Sequence, residues 1–269
     1  MSRTVSAQAE AEVERARERA EQDEQERAGS PSAMSAAVRR TEALHRRGRI
    51  GRFLFENGLS IAAFAFFAVS FAGQIVAGRR VYNDDQRQHS QPTVGVVEYL
   101  RTGEFIEATS ENMESEFLQM GLFVLLTSFL YQRGSSESKT IEEPGAVDQD
   151  PRDARDDPEA PWPVRRGGLW LSLYQRSLGS ALLLMFLVAF AGHAVGGSMA
   201  YNDAELQHGG TPVTALGYIL TSQFWFESFQ NWQSEFFSVG VLVVMSIWLR
   251  QQGSPQSKPV AASASDTGE

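Results

Sequence analysis

Residues 58–78 read GLSIAAFAFFAVSFAGQIVAG and contain no Asp, Glu, Lys or Arg. An α-helix needs about 20 consecutive apolar residues to cross the roughly 30 Å hydrocarbon core of a bilayer. A core helix of a soluble protein rarely stays uncharged on every face for about 20 residues, as this run does. The stretch therefore predicts a membrane-spanning helix rather than a buried helix of a soluble protein.

Three later runs share this absence of formal charge. They cover residues 117–131, 178–199 and 236–249, and His193 is the one histidine within them. The first and last of these three are shorter than a bilayer requires, and they reach about 20 residues when they are extended back to Asn112 and Gln230. The predicted fold class is an all-α membrane protein with four transmembrane helices.

Basic residues are concentrated at one end of the four runs and predict the orientation of the chain. They precede the first and third runs and follow the second and fourth: Arg39, Arg40, Arg46, Arg47, Arg49, Arg52, Arg133, Lys139, Arg165, Arg166, Arg176, Arg250 and Lys258. Cytoplasmic loops of membrane proteins carry an excess of Lys and Arg. Both termini and the central linker are therefore predicted to be cytoplasmic, although four arginines between residues 79 and 101 oppose this orientation.

Two halves of the chain align without a gap at a fixed offset, which carries Tyr82 onto Tyr201. The aligned pairs include FAG at 71–73 and 190–192, YND at 82–84 and 201–203, and SEF at 115–117 and 234–236. Self-similarity at a fixed period is the signature of duplication. Because each half contains two spans, both halves enter the membrane in the same orientation, as two tandem parallel two-helix repeats.

The predicted organisation has five segments. They are a charged cytoplasmic N-terminal tail (1–52), a first two-span hairpin (53–139), an acidic disordered linker (140–163), a second two-span hairpin (164–258) and a C-terminal tail (259–269). Small residues recur four apart at Gly73 and Ala77 and at Gly192 and Gly196. This spacing lets helix backbones approach closely in lipid, which predicts a seam between repeats or copies; incidental small residues are the alternative.

A polar stripe enters the membrane at the start of the second and fourth spans. Its members are Asn112, Ser115, Glu116 and Gln119, and, in the second half, Asn231, Ser234 and Glu235. The spacing i, i+3, i+4 and i+7 puts them on one helix face. In one interpretation the glutamates face each other and share a proton, a cation or a hydrogen-bond network. In the other, they lie at the headgroups and favour the positive N-terminal end of each helix.

The predicted outer loops carry a second matched motif. It comprises Tyr82, Asn83, Asp84 and His89, and then Tyr201, Asn202, Asp203 and His208. A histidine with a carboxylate could bind a transition metal or sense pH. Turn formation by Asn and Asp at the end of a span is the simpler interpretation, so no metal site is predicted. His193 replaces Gln74 within a span and is interpreted as a packing or hydrogen-bonding residue.

Composition and missing motifs exclude several functions. A net charge of −9 argues against nucleic-acid binding, and the absence of Cys excludes disulfides and thiolate metal sites. The chain has no nucleophile elbow, P-loop, GxGxxG or HExxH motif. We therefore expect no enzyme activity and no cofactor. The expected partners are the lipid bilayer and further copies of the chain, because four spans are few for a complete transporter.

Several stretches resemble an uncharacterised bacterial family of integral-membrane proteins, classed as a domain of unknown function. They are Gly73–Gln74, the Tyr82–Asn83 turn, Tyr99 with Phe105, NMESEFLQMG at 112–121 and QRGSSESK at 132–139. The resemblance covers both hairpins, and it implies a multi-pass protein of the bacterial cytoplasmic membrane without implying an activity. The second half departs from the first where Glu107 becomes Phe226 and Glu114 becomes Gln233.

Two functional hypotheses follow. The chain is a small transport or permeation module with the polar stripe lining its path, or it is a non-catalytic membrane scaffold that acts through partners. A membrane enzyme ranks third.

Overall fold

In a computed structural model of the chain, the structure describes residue 38, residues 48–141 and residues 145–268. The helices are α1 (Arg49–Glu56), α2 (Gly58–Gln88), α3 (Val96–Tyr99), α4 (Gly103–Thr127), α5 (Trp162–Arg166), α6 (Gly168–Tyr174), α7 (Ser177–Gln207), α8 (Ala215–Ile219) and α9 (Ser222–Met245), with 3-10 turns at Ala146–Asp148 and Pro151–Ala154. No β-strand occurs within these described ranges, so the protein is all-helical there. Most of the predicted N-terminal tail lies outside them, including Arg39, Arg40, Arg46 and Arg47.

The chain divides into two compact units, Met1–Gln74 and Ile75–Glu269. The first contains α1 and the beginning of α2, and Arg52 Nε donates to Glu56 Oε1 at 2.7 Å one turn along α1. The second contains the remaining helices, and the candidate site described below lies wholly within it.

Two helices are long and apolar enough to cross a membrane, Gly58–Gln88 and Ser177–Gln207, each with 31 residues. At 1.5 Å per residue each is about 46 Å long, which exceeds the hydrocarbon thickness of a bilayer. The helices α4 and α9 have polar first halves, and five glutamates lie between Gly103 and Glu116 in α4. Because of these polar residues, α4 and α9 are not among the helices that are long and apolar enough to cross a membrane.

The starts of α4 and α9 lie about nine residues before the predicted starts near Asn112 and Gln230. Thr102 and Thr221 are the N-caps, and each hydroxyl accepts from the backbone N–H three residues later, at 3.3 Å. A threonine in this position satisfies one of the unpaired N–H groups of the first turn. The helices therefore begin in polar sequence, where the length of an apolar run gives no signal.

The YND motif lies on helices, which corrects the prediction of a turn at Tyr82–Asn83. Helix α2 continues to Gln88 and α7 continues to Gln207. The Asn83 side chain accepts from Val94 N–H at 2.7 Å and donates to Val94 O at 3.0 Å. Asn202 makes the same pair of bonds with Val213, at 2.7 and 2.8 Å. These asparagines hold the returning chain against the helix end instead of forming a turn.

Helices α4 and α7 pack along each other with their backbones close together. A Cβ added at Gly196 would overlap the backbone of Glu107, and one at Gly103 would overlap the backbone of Ala200. A Cβ at Gly192 would lie 2.5 Å from Ser110 Oγ. Gly192 and Gly196 therefore face a helix from the other half of the sequence. The matching role of Gly73 and Ala77 stays a prediction.

Ordered loops follow α4 and α9. Gln132 N–H donates to Ser138 Oγ, and Gln251 N–H donates to Ser257 Oγ, both at 2.9 Å. Lys258 is buried and donates to the carbonyls of Ser263, Ala264 and Asp266 at 3.0, 3.3 and 2.8 Å. The residues after 258, predicted as a tail, thus fold back around this ammonium group.

The described part of the predicted linker also contains local structure. Its two 3-10 turns lie at Ala146–Asp148 and Pro151–Ala154. Lys139 Nζ pairs with Asp148 Oδ1 at 2.5 Å and lies 5.4 Å from the centre of the Tyr131 ring. The ion pair anchors the beginning of the linker to the chain that follows α4.

Candidate functional site

The candidate site is centred on His193, a fully buried histidine of α7. Its side chain is fully buried, and each ring nitrogen faces a carboxylate: Nδ1 lies 2.8 Å from Glu114 Oε2 and Nε2 lies 3.2 Å from Glu227 Oε2. Glu114 belongs to α4 and is also fully buried, whereas Glu227 belongs to α9 and its side chain is 17% exposed. One imidazole therefore links three helices through two carboxyl groups.

Helix periodicity brings the carboxyl groups together. Glu107, Glu111 and Glu114 follow the spacing i, i+4 and i+7, which puts them on one face of α4. The side chain of Glu111 lies near Asn231 on α9. Asn231 lies one turn beyond Glu227 and donates to the carbonyl of that residue at 3.2 Å. We call Glu107, Glu111, Glu114, His193 and Glu227 the His193 cluster.

Aromatic residues pack around the cluster. Phe224 is fully buried, and its ring stacks on the His193 imidazole with centroids 4.5 Å apart. Tyr218 packs edge-on against Phe224, and its hydroxyl donates toward Glu107 Oε1 at 3.0 Å and Glu227 Oε2 at 2.5 Å. Burial, followed by the hydrogen bond to Glu227, raises the pKa of Tyr218 far above its ordinary value of 10.0. Tyr218 therefore stays protonated and acts as a donor.

The outer oxygens of the carboxylates also have partners. Trp232 Nε1–H donates to Glu114 Oε1 at 3.2 Å, so both oxygens of this fully buried carboxyl group are engaged. Gln223 Nε2 donates to Glu227 Oε1 at 2.5 Å, and Gln223 itself is exposed. A continuous hydrogen-bonded chain thus runs from the exposed Gln223 to the half-buried Trp232.

A glycine provides the space in which Tyr218 and Glu107 meet. A Cβ on Gly197 would overlap the Tyr218 ring and lie 2.8 Å from Glu107 Oε1. Gly196, which precedes it, lets the α4 backbone approach, so two consecutive glycines of α7 admit both partners. The cluster depends on the absence of side chains at these two positions.

The cluster contains an excess of acidic groups, with four carboxyl groups around one imidazole. Two like charges 4 Å apart repel by about 4 kcal/mol at an effective dielectric constant of 20. Buried carboxylates therefore need a proton, a cation or several donors. The donors contributed by Tyr218, Trp232 and Gln223 are fewer than the lone pairs that four ionised carboxylates present.

The predicted polar stripe lies mostly outside the cluster. Ser115 and Ser234 donate back to the carbonyls of Asn112 and Asn231 at 2.8 Å, and the Asn112 amide donates to Ala108 O at 2.6 Å. Glu116 is exposed, whereas Gln119 and Glu235 are half-buried. The structure brings only Asn231 of this stripe to the cluster. That Glu116 and Glu235 face each other across a shared path stays a prediction.

The predicted pairs of Asp84 with His89 and of Asp203 with His208 do not form contacts. Asp84 Oδ1 accepts from Arg87 at 2.6 Å, and the carboxylate beside His89 is that of Asp85, at 3.5 Å. His208 Nδ1 lies 2.8 Å from the carbonyl of Ala204, and Asp203 is exposed. Helical geometry explains this result, because a residue five positions away points to another face. Tyr82 and Tyr201 instead pack on Tyr99 and Tyr218, with centroids 5.9 and 5.6 Å apart.

No sequence motif points to a functional role for Glu107, Glu114, Glu227, Tyr218 or Trp232. His193, interpreted from sequence as a packing or hydrogen-bonding residue, stacks on Phe224 and hydrogen-bonds Glu114 and Glu227. A signal was available in the differences between the aligned halves. His193 aligns with Gln74, Glu227 with Ala108, Glu107 with Phe226 and Glu114 with Gln233. Each charged or ionisable member occurs in one half alone, whereas a search for matched motifs selects residues that occur in both.

Comparison with known proteins gives a family and no activity. No curated protein and no solved structure matches the chain. A family model described as "Domain of unknown function (DUF6766)" matches residues 50–269, which contain both of the long apolar helices and the whole His193 cluster. The expectation of an uncharacterised family is therefore confirmed, and because the match covers most of the sequence, the chain belongs to the DUF6766 family.

Proposed function

We propose that the chain is a multi-pass protein of the bacterial cytoplasmic membrane with four transmembrane helices, and that it acts as a small cation-binding and permeation module. The binding centre is the His193 cluster. The observation that carries this proposal is the set of four carboxyl groups around one fully buried imidazole, at the contact of three helices.

The two less apolar helices are assigned as spans because three of their glutamates contact other side chains of the bundle. Glu107 and Glu114 on α4 and Glu227 on α9 contact His193 or Tyr218 rather than standing alone. Their second halves, residues 117–127 and 236–245, carry no formal charge. Ionisable residues in membrane helices pair with one another inside a bundle, which is the arrangement of this cluster.

The pattern of the helix bounds supports two tandem hairpins. Adding the same offset to the bounds of α2 gives those of α7, and adding it to the first residues of α3 and α4 gives those of α8 and α9. The asparagine bridges and threonine caps recur at the same offset. Two parallel hairpins would each place their termini on the cytoplasmic side.

A cation is the ligand that the charge balance favours. Ionised carboxylates in a low-dielectric interior repel each other, and a bound cation relieves that repulsion while replacing the missing donors. Entry is expected beside Gln223, which is exposed, and its partner Glu227. Passage beyond Glu114 would require a helix rearrangement or a second copy, because α4 carries no charged residue from Phe117 onward.

Cation binding and flux in the full-length protein test the proposal. Purified protein in detergent is titrated with Na⁺, K⁺, Mg²⁺ and Co²⁺, and its unfolding temperature is measured. A cation at 100 times its dissociation constant should stabilise the protein by about 2.7 kcal/mol. The same protein in liposomes should admit that cation, as followed by a fluorescent indicator inside the vesicles.

A double variant, Glu114→Gln with Glu227→Gln, should lose both effects. Glu205→Gln serves as the matched control, because it removes a carboxylate of α7 that lies outside the cluster. If no cation stabilises the wild type and none enters the liposomes, the proposal fails and the scaffold function becomes the better account.

A further inference from the structure

We propose that Glu107, His193 and Glu227 form a binding site for one divalent first-row transition-metal ion of the class of Mn²⁺, Fe²⁺ or Zn²⁺. This inference rests on the proposed cation-binding function and names the class of cation. One ligand atom from each of the three side chains lies within 4.8 Å of the others. The three residues come from α4, α7 and α9, so the ion would bind where these helices converge.

The spacing of the ligand atoms fits a small ion. His193 Nε2 and Glu227 Oε2 are 3.2 Å apart. Two ligands at about 2.1 Å from a tetrahedral ion are about 3.4 Å apart. Glu107 Oε1 and Glu227 Oε2 already share one neighbour, the Tyr218 hydroxyl, at 3.0 and 2.5 Å. Glu107 offers the third ligand, because one of its carboxylate oxygens lies within 4.8 Å of the other two ligand atoms.

The partner of the other ring nitrogen is an independent feature that points to a metal. Histidines that bind a metal usually donate their second N–H to a carboxylate or a carbonyl, which fixes the ring and its tautomer. His193 Nδ1 lies 2.8 Å from Glu114 Oε2, and Trp232 holds the other oxygen of Glu114 at 3.2 Å. In neutral His193 with its proton on Nδ1, this contact directs the Nε2 lone pair toward Glu107 and Glu227. Glu114 and Trp232 are thus positioning residues.

When His193 is neutral, the available protons are too few for the acceptors. If its single proton is on Nδ1 and is donated to Glu114, the lone pair of Nε2 faces Glu227 Oε2, which is another acceptor. The single proton of the Tyr218 hydroxyl faces one oxygen of Glu107 and one of Glu227. A divalent ion between Nε2 and these two oxygens would give all three acceptors a partner.

The ligand types select the class of metal. Mg²⁺ and Ca²⁺ prefer sites made entirely of oxygen, whereas imidazole favours transition metals. The chain has no Cys, so the thiolate ligands that soft ions prefer are absent. One imidazole with two carboxylates is a mixed set that suits Mn²⁺, Fe²⁺ and Zn²⁺. Three protein ligands leave further positions open for water or for exchange of the ion.

Cobalt is the probe, because Co²⁺ bound by imidazole and carboxylate has visible absorption bands that respond to its geometry. Full-length wild-type protein in detergent, freed of metal by chelation, is titrated with Co²⁺ and then with Zn²⁺ as a competitor. We expect one Co²⁺ per chain, with bands that Zn²⁺ abolishes and Mg²⁺ leaves unchanged.

Three variants and a control assign the site. His193→Gln introduces the residue that the aligned half carries, and it should abolish the absorption bands. Glu227→Gln should do the same, whereas Glu114→Gln should lower the affinity by about 10- to 100-fold. Glu205→Gln should bind Co²⁺ as the wild type does. Circular dichroism and size-exclusion chromatography confirm that each variant is folded before its affinity is compared.

Two outcomes would overturn the metal site. One is unchanged Co²⁺ affinity in folded His193→Gln protein, and the other is equal affinity of the wild type for Mg²⁺ and Co²⁺. If Na⁺ or K⁺ stabilises the wild type while Co²⁺ does not bind, the metal site fails and the proposed cation-binding function stands. If none of these cations binds, both fail.

Discussion

A single histidine connects the polar side chains of the His193 cluster. Glu114 and Glu227 contact the two ring nitrogens of His193, and its ring face is stacked on Phe224. A buried imidazole with a carboxylate at each nitrogen has a defined orientation and a defined set of acceptors. Sequence reasoning could identify this histidine as a hydrogen-bonding residue but not its partners, because they lie 79 and 34 positions away.

We predict that Trp232→Phe destabilises the protein by about 1.5–3 kcal/mol, the usual worth of a hydrogen bond to a charged group. The substitution leaves Glu114 Oε1 without its donor while preserving most of the aromatic volume. Reversible denaturation in detergent would measure the loss. Trp248→Phe is the matched control, since Trp248 is 65% exposed, and its stability should stay near that of the wild type.

A second prediction at this scale concerns Asp148. Its hydrogen bond with Lys139 holds the pKa of the Asp148 carboxyl group below the ordinary value of 3.8. A carboxyl group with a lowered folded-state pKa stabilises the fold above its ordinary pKa, and that contribution is lost as pH falls through the lowered value. Carbon NMR of labelled aspartate should show this lowered pKa, and Lys139→Met should return it toward 3.8. An equal pKa in both proteins would contradict the pairing.

At the scale of helices, sequence predicts the apolar parts well and the polar parts poorly. The charge-free run at 58–78 lies wholly within α2, and the run at 178–199 lies wholly within α7. The starts of α4 and α9 could not be obtained in this way. Each follows a threonine cap and continues through a polar turn, and Glu114 and Glu227 make tertiary contacts there that local sequence does not reveal.

Close packing of α7 against its neighbours gives a prediction at the same scale. Gly197→Ala adds a methyl group where the Tyr218 ring and Glu107 Oε1 lie. Overpacking of this kind typically costs about 1–3 kcal/mol. The free energy of unfolding should fall by that amount, and Tyr218 fluorescence should change if its ring is displaced.

Gly240→Ala in α9 provides the comparison for Gly197→Ala. No described atom outside the local helix lies within 4 Å of a Cβ added at Gly240. Alanine should therefore leave the stability unchanged or raise it by about 0.5–1 kcal/mol, through its higher helix propensity. Equal losses at both glycines would contradict close packing at Gly197.

At the scale of the whole molecule, the orientation of the chain in the membrane is predicted from the sequence. The distribution of Lys and Arg predicts cytoplasmic termini. A reporter fused after His89 or His208 should therefore read as external, and one fused near Asp150 should read as internal. Alkaline phosphatase and a fluorescent protein are suitable reporters, because each is active on one side of the membrane. The opposite pattern would reverse the orientation.

The His193 cluster has a consequence for how the chain can be divided. Glu107, Glu111 and Glu114 precede the linker, whereas His193 and Glu227 follow it, so neither segment contains a complete set of ligands. Two polypeptides made by cutting the linker would each fail to bind the metal ion, and only their reassociation would restore the binding site. The visible absorption of bound Co²⁺ would then measure how much of the two fragments has reassociated.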